Sequence, residues 1–441
     1  MADWLRFAQA DRHLNFCIVT MHKTLHLERL DQASPPAGEQ IAPNLNPFYH
    51  HQASAARLLQ NQVNGLCLDV GIGMQERGQV STQQQHGILS SIALFLSVQI
   101  QESAYGAWRA HLHGAKVVLA LLERARLPAP LPVPKHDAFL DFHLMTVDVF
   151  GTTTAPLTHR REEVVTEHQT YLDLLKTGRM GFDSRNSLTP VPDEILKGII
   201  RANILRAGGN IAYFSDQGQE KKTAIGLSPV ADVVLAAQRF SPETWAKLII
   251  HSQPNPEQME LQAWELLARC FQSAATAYVI LSTGTGHRHW RQAEAEAEAE
   301  TQSQSHFLNA AYASLTTSIA ALFKLASDSD APSGSGSGGG RTLLHKFVLW
   351  PMVIAGVESA ARGDKVFQDY LTHKLNMLTV ELGTMAMREA AGFLEGLWRK
   401  FAAERQGQGA YTEVANGTTL EDGRVDVDWD GIFDAGPVFL M

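Results

Sequence analysis

The sequence predicts an all-α protein, a multi-helix globular bundle of about ten to twelve helices with disordered insertions. Two observations predict this class. Apolar residues recur at spacings of three and four along several segments, which is the period of one face of an α-helix. Strand signals are weak: VDVDW at 425–429 alternates, but it is short and acidic, so an extended tail is favoured over a sheet strand.

Several helices are predicted from capping residues or from the spacing of their apolar residues. Ser81 and Thr82 are suited to cap a helix that runs to about Gln101. The helical period continues through 260–281 and 378–401, and another helix should begin after Pro192. The stripe is clearest in 106–124, where its members are Trp108, Leu112, Ala115, Leu119 and Leu122.

Composition limits the function classes. The chain has 441 residues, of which 45% are hydrophobic and 19% charged, enough for one large helical domain or two or three smaller ones. A net charge of −9 without a dense basic run disfavours the chain as a whole as a nucleic-acid binder. Cys17, Cys67 and Cys270 lie far apart and form no disulfide framework, which fits a reducing compartment.

No membrane or secretion signal is recognised. The first residues lack a charged start followed by an apolar core, so we expect no signal peptide. The longest apolar stretch, 88–100, is shorter than the roughly 20 residues that a membrane span needs. It is interpreted as a buried helix.

The domain organisation follows from breaks in composition. We expect an N-terminal helix and linker at 1–47, a helical domain at 48–433, and a short tail at 434–441. Connections rich in proline should lie at 31–47 and 127–137. Flexible insertions are predicted at 291–305, which includes AEAEAEAE, and at 327–340, which is rich in Gly and Ser.

Histidine pairs do not build a metal site. His22 and His26 share a helix face, but Lys23 stands where a zinc protease needs Glu. His287 and His289 have no third ligand nearby in the sequence. The pair at 111 and 113 diverges on a helix, and the first of these residues, three from Trp108, is best explained as a core-edge histidine.

Other catalytic patterns are weaker still. STGTGHRH at 282–289 lacks the Lys-Ser/Thr of a phosphate loop, and RAGGN at 206–210 is explained by a left-handed glycine at a helix end. No GxSxG motif exists, the cysteines have apolar neighbours, and Glu162 and Glu163 have polar surroundings typical of a surface. We therefore predict no catalytic, cofactor-binding or metal-binding residue, and no enzyme.

One acidic residue needs an explanation. In LWPMVIAGVES (349–359), Pro351 should either begin a helix or kink one that starts near Leu343. Glu358 ends the apolar run. If it is buried it needs a partner, and the favoured interpretation is a structural carboxylate bound to backbone N–H groups or to an arginine such as Arg362; a ligand contact is the alternative.

Four regions resemble the fungal-specific transcription factor domain, the C-terminal regulatory region of fungal zinc-cluster regulators. WRAHLHGAKVVLALLE (108–123) looks like its W..HL.GA..LL segment, and FHLMTVDVFGTTTAPLT (142–158) is similar to its next helix. KFVLWPMVIAGVES (346–359) resembles its WPL.IAG.E signature. LEGLWRKFAAE (394–404), followed by VDVDWDGIF (425–433), resembles its closing helix and Trp-containing tail. The order of the regions matches, and the resemblance covers most of the chain.

The resemblance implies an all-helical fold, a nuclear location and a role in controlling transcription. Some members bind a sterol in an apolar pocket, and others govern metabolite gene clusters. A small apolar ligand and a homodimer or heterodimer with another transcription factor are the implied partners. The family's DNA reader is a six-cysteine zinc cluster, and this sequence contains no CxxC pair.

That departure leaves three explanations open: a gene model without its first exon, divergence into a co-regulator, or DNA binding through a partner. Three functional hypotheses follow. The chain is a transcriptional regulator whose helical domain responds to a ligand or partner, a co-regulator that does not bind DNA, or a metabolite-pathway enzyme with an unrecognised site.

Overall fold

A computed structural model describes residues 46–71, 82–103, 105, 108–125, 135–177, 189–209, 228–251, 261–284, 294–329, 344–411, 424–425 and 427–433. Within these ranges the chain forms fourteen α-helices and no strand, which confirms the predicted all-α class. The helices are α1 Asn46–Gly71, α2 Thr82–Glu102, α3 Trp108–Ala125, α4 Lys135–Thr153, α5 Arg161–Thr177, α6 Asp193–Arg206, α7 Pro229–Arg239, α8 Pro242–His251, α9 Leu261–Gly284, α10 Glu294–Ser329, α11 Leu349–Arg362, α12 Lys365–Leu382, α13 Met385–Tyr411 and α14 Trp429–Ile432, with a 3₁₀ turn at Leu344–Phe347.

The chain divides into two compact units. Of the described residues, unit 1 holds those up to 148, residue 177 and 374–390, and unit 2 holds the others, so the boundaries fall inside α4, α5, α12 and α13. No described helix is both long enough and apolar enough to cross a membrane.

Unit 1 contains α1, α2 and α3, which pack in sequence order. Its apolar contacts join Phe48 of α1 to Leu94 and Val98 of α2, with Met385 of α13 against them. A second cluster joins Leu89, Ala93, Val118 and Leu140. Of the stripe predicted in 106–124, Trp108, Leu112 and Ala115 are buried and Leu119 is partly buried, while the side chain of Leu122 lies outside the described residues. The described side chains of 89–100 are mostly buried, in agreement with the interpretation of 88–100 as a buried helix.

Unit 2 is built around α9, which contacts α6, α7, α8, α10, α11 and α14. A helix that is apolar on nearly all sides is expected to lie inside a protein, and α9 has this character. Large aromatic side chains fill the space beside it. They are Phe150, Phe271, Tyr278, Trp350 and Trp429, all nearly inaccessible to solvent.

Helix ends follow the expected chemistry at several places. Ser228 caps α7 by accepting a hydrogen bond from the N–H of Ala231, and Pro192 precedes α6 as predicted. Gly208 has a φ of +79° after α6, which confirms the left-handed glycine expected in RAGGN. Pro351 lies in the first turn of α11, so it stands at the start of this helix and does not kink a longer one.

The structure differs from the sequence prediction in two elements. The segment 378–401 is not one helix, because Gly383 adopts a φ of +63° and Thr384 Oγ1 accepts the N–H of Ala386 at the start of α13. Residues 294–305, predicted as part of a flexible insertion (291–305) whose AEAEAEAE run favours helix, form the first turns of α10. Helix α10 also includes 327–329, and the rest of the Gly/Ser tract lies outside the described residues.

Candidate functional site

The charged group best protected from water lies where the chain's last described segment meets α11. We call residues 424–433 the tail segment. Glu358 is 0% exposed, and its carboxylate accepts hydrogen bonds from Arg424 Nε at 3.1 Å and Nη2 at 2.9 Å. Arg362, one turn further along α11, donates from Nε to the same carboxylate at 2.8 Å. Two guanidinium groups therefore balance one buried charge.

The end of α11 supplies further contacts for the same segment. The last carbonyls of a helix have no partner within the helix. Here the Arg405 guanidinium donates to the carbonyls of Ala360 and Ala361, and the N–H of Val425 donates to Ala361 at 3.0 Å. Gly363, with a φ of +71°, ends the helix and lets the chain turn away.

Thr153 at the end of α4 connects two tryptophans that are far apart in sequence. Its hydroxyl accepts a hydrogen bond from Trp350 Nε1 at 2.9 Å, and its carbonyl accepts one from Trp429 Nε1 at 2.7 Å. Both indoles are buried, so each N–H needs a partner there. Through these two hydrogen bonds, Thr153 holds both the first turn of α11 and the start of α14.

Arg206 is another buried charged residue. Its guanidinium donates to the carbonyls of Thr152 and Ala155 and to the carboxylate of Asp430, with Nε 3.0 Å from Oδ1. The Arg206 side chain is 2% exposed, whereas Asp430 is partly open to solvent. The arginine thus closes the C-terminal turn of α4 and binds the tail segment at the same time.

A chain of neutral groups continues from Arg206. Tyr278 of α9 donates its hydroxyl hydrogen to Asn203, and the Asn203 amide nitrogen donates to the carbonyl of Val149 at 3.1 Å. That nitrogen also lies 3.0 Å from His168 Nε2. Burial raises the pKa of Tyr278 despite the nearby Arg206 charge. The tyrosine consequently acts as a hydrogen-bond donor at all physiological pH values.

These groups define a structural polar cluster. We define the polar cluster as Thr153, Asn203, Arg206, Tyr278, Trp350, Glu358, Arg424, Trp429 and Asp430. Its charges and donors are directed at each other and at backbone carbonyls. The polar cluster holds the tail segment against α4, α6, α9 and α11.

The residues singled out in the sequence have mixed outcomes. Glu358 is the structural carboxylate that was expected, and the predicted contact with Arg362 is confirmed. The His111 ring packs edge-on against Phe95, while His113 is exposed, so the two diverge as predicted. Glu162 and Glu163 are on the surface, and burial raises the pKa of the Cys270 thiol. His22, His26, His287, His289 and Cys17 lie outside the described residues, as does the side chain of Cys67.

Sequence reasoning missed Arg206, Arg424, Thr153 and Asp430. Arg206 ends a helix whose other buried positions are nearly all apolar. An arginine on the buried face of a helix needs a partner, so its position in the sequence could have indicated a buried polar contact. Arg424 and Asp430 gave none, because their partners lie 66 and 224 positions away.

Unit 1 contains its own ionisable groups. Burial lowers the pKa of His143 to about 4, and its Nε2 has no hydrogen-bond partner in the part of the chain that is described. Burial and the nearby Glu389 raise the pKa of Glu102, although a hydrogen bond from Gln52 opposes this. Lys116 and Asp148 form an ion pair at 2.8 Å.

Within the described ranges, no three His, Cys, Asp or Glu side chains approach closely enough to hold a metal ion. Comparisons of the chain with family models, with curated proteins and with solved structures give no match. The fold and the site therefore define an all-α protein with a buried structural polar cluster.

Proposed function

We propose that this protein is a transcriptional regulator, in which the helical body is the regulatory domain of a fungal zinc-cluster type of factor. Its place of action would be the nucleus, and its partners a second transcription factor and a small apolar ligand. Control of a metabolic or secondary-metabolite gene cluster is the favoured role.

One observation carries the proposal. Three of the four regions that resemble the regulatory family contribute to one buried cluster in unit 2. Thr153, Trp350 and Trp429 are joined by the two indole hydrogen bonds, and Trp398 donates from Nε1 to the carbonyl of Gly356 at 2.9 Å. Residues that look like a family signature in the sequence are thus the ones that hold the body together, as expected when the signature describes a fold.

The close packing at Gly356 adds support. A Cβ atom built on Gly356 would lie 2.6 Å from Cδ2 of the buried Leu394, so the glycine of the WPMVIAGVE run permits the contact between α11 and α13. This explains the glycine in that motif by packing and gives it no catalytic role.

A reporter assay tests the proposal. The full chain would be fused to a heterologous DNA-binding domain and expressed in a fungal cell whose reporter gene carries the matching operator. We expect reporter transcription to differ severalfold from that with the DNA-binding domain alone. The Leu394→Ala variant is the disrupted control, and Glu395→Ala, on the exposed side of α13, is the matched control that should behave as wild type.

A stable nuclear fusion protein that leaves transcription unchanged would contradict the proposal. The co-regulator alternative is tested with the full chain alone, without the fused DNA-binding domain. A purified full chain that binds an intact zinc-cluster protein, and has no affinity for DNA alone, would favour it over direct regulation.

A further inference from the structure

Three helices of unit 1 are joined through polar side chains at the C-terminal end of α2. Gln52 of α1 donates a hydrogen bond from Nε2 to the carboxylate of Glu102. The next residue, Ser103, donates its hydroxyl hydrogen to the carboxylate of Glu389 of α13 at 2.8 Å. Consecutive residues at the end of α2 therefore tie this helix to α1 on one side and to the first turns of α13 on the other. We call the group the carboxylate junction, and its members are Tyr49, Gln52, Glu102, Ser103, Tyr105 and Glu389.

The two carboxylates of the junction carry charges of the same sign. Burial raises the pKa of the half-buried Glu102 above its usual 4.5, the hydrogen bond from Gln52 opposes this, and the negative charge of Glu389 raises the pKa further. Within the described ranges, no cation is among the groups that shift this pKa. Two neighbouring carboxylates that are partly removed from water favour a form in which one of them holds a proton.

Two tyrosines also face the carboxylates. Burial raises the pKa of Tyr49, and the charges of Glu102 and Glu389 raise it further. Burial and the charge of Glu389 raise the pKa of Tyr105 to about 12. Both tyrosine hydroxyls therefore keep their protons at physiological pH, and the neighbouring amide and serine side chains do not titrate. Within the junction as defined, the carboxylates are the groups that change charge near or below neutral pH.

We propose that the carboxylate junction is a proton-operated latch, in which Glu102 and Glu389 share one proton at mildly acidic pH and α1, α2 and the start of α13 then hold together more tightly. When both carboxylates are charged they repel each other across the contact of α2 with α13, and the contact opens more often. The proton comes from solvent and is held on Glu102, beside the charged Glu389. This proposal is independent of the proposed function.

The direction of the pH dependence follows from the raised pKa of Glu102. The folded protein holds a proton on this residue at pH values where the unfolded chain has released it. The stabilising contribution is therefore fully present below pH 4.5 and is lost as pH rises through the folded value. His143 of α4 has the opposite dependence, because burial lowers its pKa. The latch should consequently be followed at the junction itself and not through the melting temperature of the whole protein.

Hydrogen exchange of the full chain tests the latch. Exchange of the amides in 98–103 and 385–390 would be measured at about pH 5 and about pH 7.5 and expressed as protection factors, which correct for the intrinsic effect of pH on exchange. We expect these amides in the wild type to be severalfold better protected at the lower pH. Glu102→Gln keeps an oxygen for the hydrogen bond from Gln52 but carries no charge. At pH 7.5 it should be as well protected as the wild type is at pH 5.

The matched control is Glu395→Gln, on the exposed side of α13, which should follow the wild type at both pH values. Weaker protection of Glu102→Gln than of the wild type at pH 7.5 would overturn the proposal, because the charged carboxylate would then be the form that holds the helices. An equal response to pH in the wild type and in Glu102→Gln would overturn it too.

Glu389→Gln tests the pair from the other side. This variant removes the charge that acts on Glu102, while its amide oxygen can still accept the hydrogen bond from Ser103. We expect protection above that of the wild type at pH 7.5 and a smaller change between the two pH values. A full wild-type response to pH in Glu389→Gln would show that Glu102 titrates alone, and the shared-proton latch would be wrong.

Discussion

Glu358 accepts two hydrogen bonds from Arg424, a residue 66 positions later in the chain, and is itself 0% exposed. A buried carboxylate is costly unless it is paired and hydrogen-bonded, so this contact ties the tail segment to α11. Arg362 completes the group from within the helix.

Replacing Glu358 with Ala should lower the free energy of unfolding by about 3–5 kcal/mol, because two guanidinium groups lose their buried partner. Chemical denaturation of the purified protein measures this. Glu395→Ala on the exposed side of α13 is the matched control, with an expected change below about 0.5 kcal/mol. Equal denaturation midpoints for the two variants would show that the buried carboxylate of Glu358 does not stabilise the protein.

Replacing glycine with alanine should have opposite effects on stability at Gly356 and at Gly392. Gly356→Ala should destabilise by about 1–3 kcal/mol, because its Cβ would lie 2.6 Å from Cδ2 of Leu394, a fully buried side chain. Gly392→Ala has nothing within 4 Å of the new Cβ and should stabilise by up to about 1 kcal/mol. Thermal unfolding separates the two, and destabilisation at both sites would contradict the packing explanation.

His143 predicts a pH dependence of stability. Its pKa in the folded protein is about 4, below the usual 6.5, so the unfolded chain binds more protons between these values. Stability should therefore be lost as pH falls from about 6.5 to about 4, by up to about 3 kcal/mol from this residue. His143→Leu should flatten the profile of melting temperature against pH in that window. An unchanged slope would mean that His143 is not the cause.

Asp430 predicts a smaller effect than Glu358. Asp430→Asn removes the negative charge beside Arg206, but the guanidinium keeps its carbonyl partners on Thr152 and Ala155. We expect a loss of about 1–3 kcal/mol in the free energy of unfolding. Asp369→Asn, exposed on α12, is the control and should change little. A loss at Asp369 as large as at Asp430 would contradict a specific contribution from the pair of Arg206 and Asp430.

Local features of the sequence predicted the all-α class and several of the helices. The capping residues Ser81 and Thr82 located α2, the three-and-four spacing located α3 and α9 to within a few residues, and Pro192 marked the start of α6. The break at Gly383 was missed because the apolar period continues across it, while a single left-handed residue changes the chain direction. The helix-favouring composition of AEAEAEAE was recognised, but its continuity with α10 was not predicted, because the segment has no apolar face to pack.

The site was predictable only where its contacts are local. Glu358 and Arg362 are four apart on one helix, so their pairing could be expected. Arg206 and Asp430 are 224 positions apart, and Trp350 and Thr153 are 197 apart, so their pairing depends on how the helices pack. No periodicity in the sequence reports such contacts.

The attachment of the tail segment to α11 through Glu358 and Arg424 is the claim on which the candidate site depends. A double-mutant cycle on Glu358→Ala and Arg424→Ala, followed by chemical denaturation, tests it most directly. We predict a coupling of about 1–3 kcal/mol, whereas Glu358→Ala with Lys400→Ala, an exposed cation on α13, should be additive. Additivity within about 0.5 kcal/mol for Glu358 and Arg424 would contradict the claim.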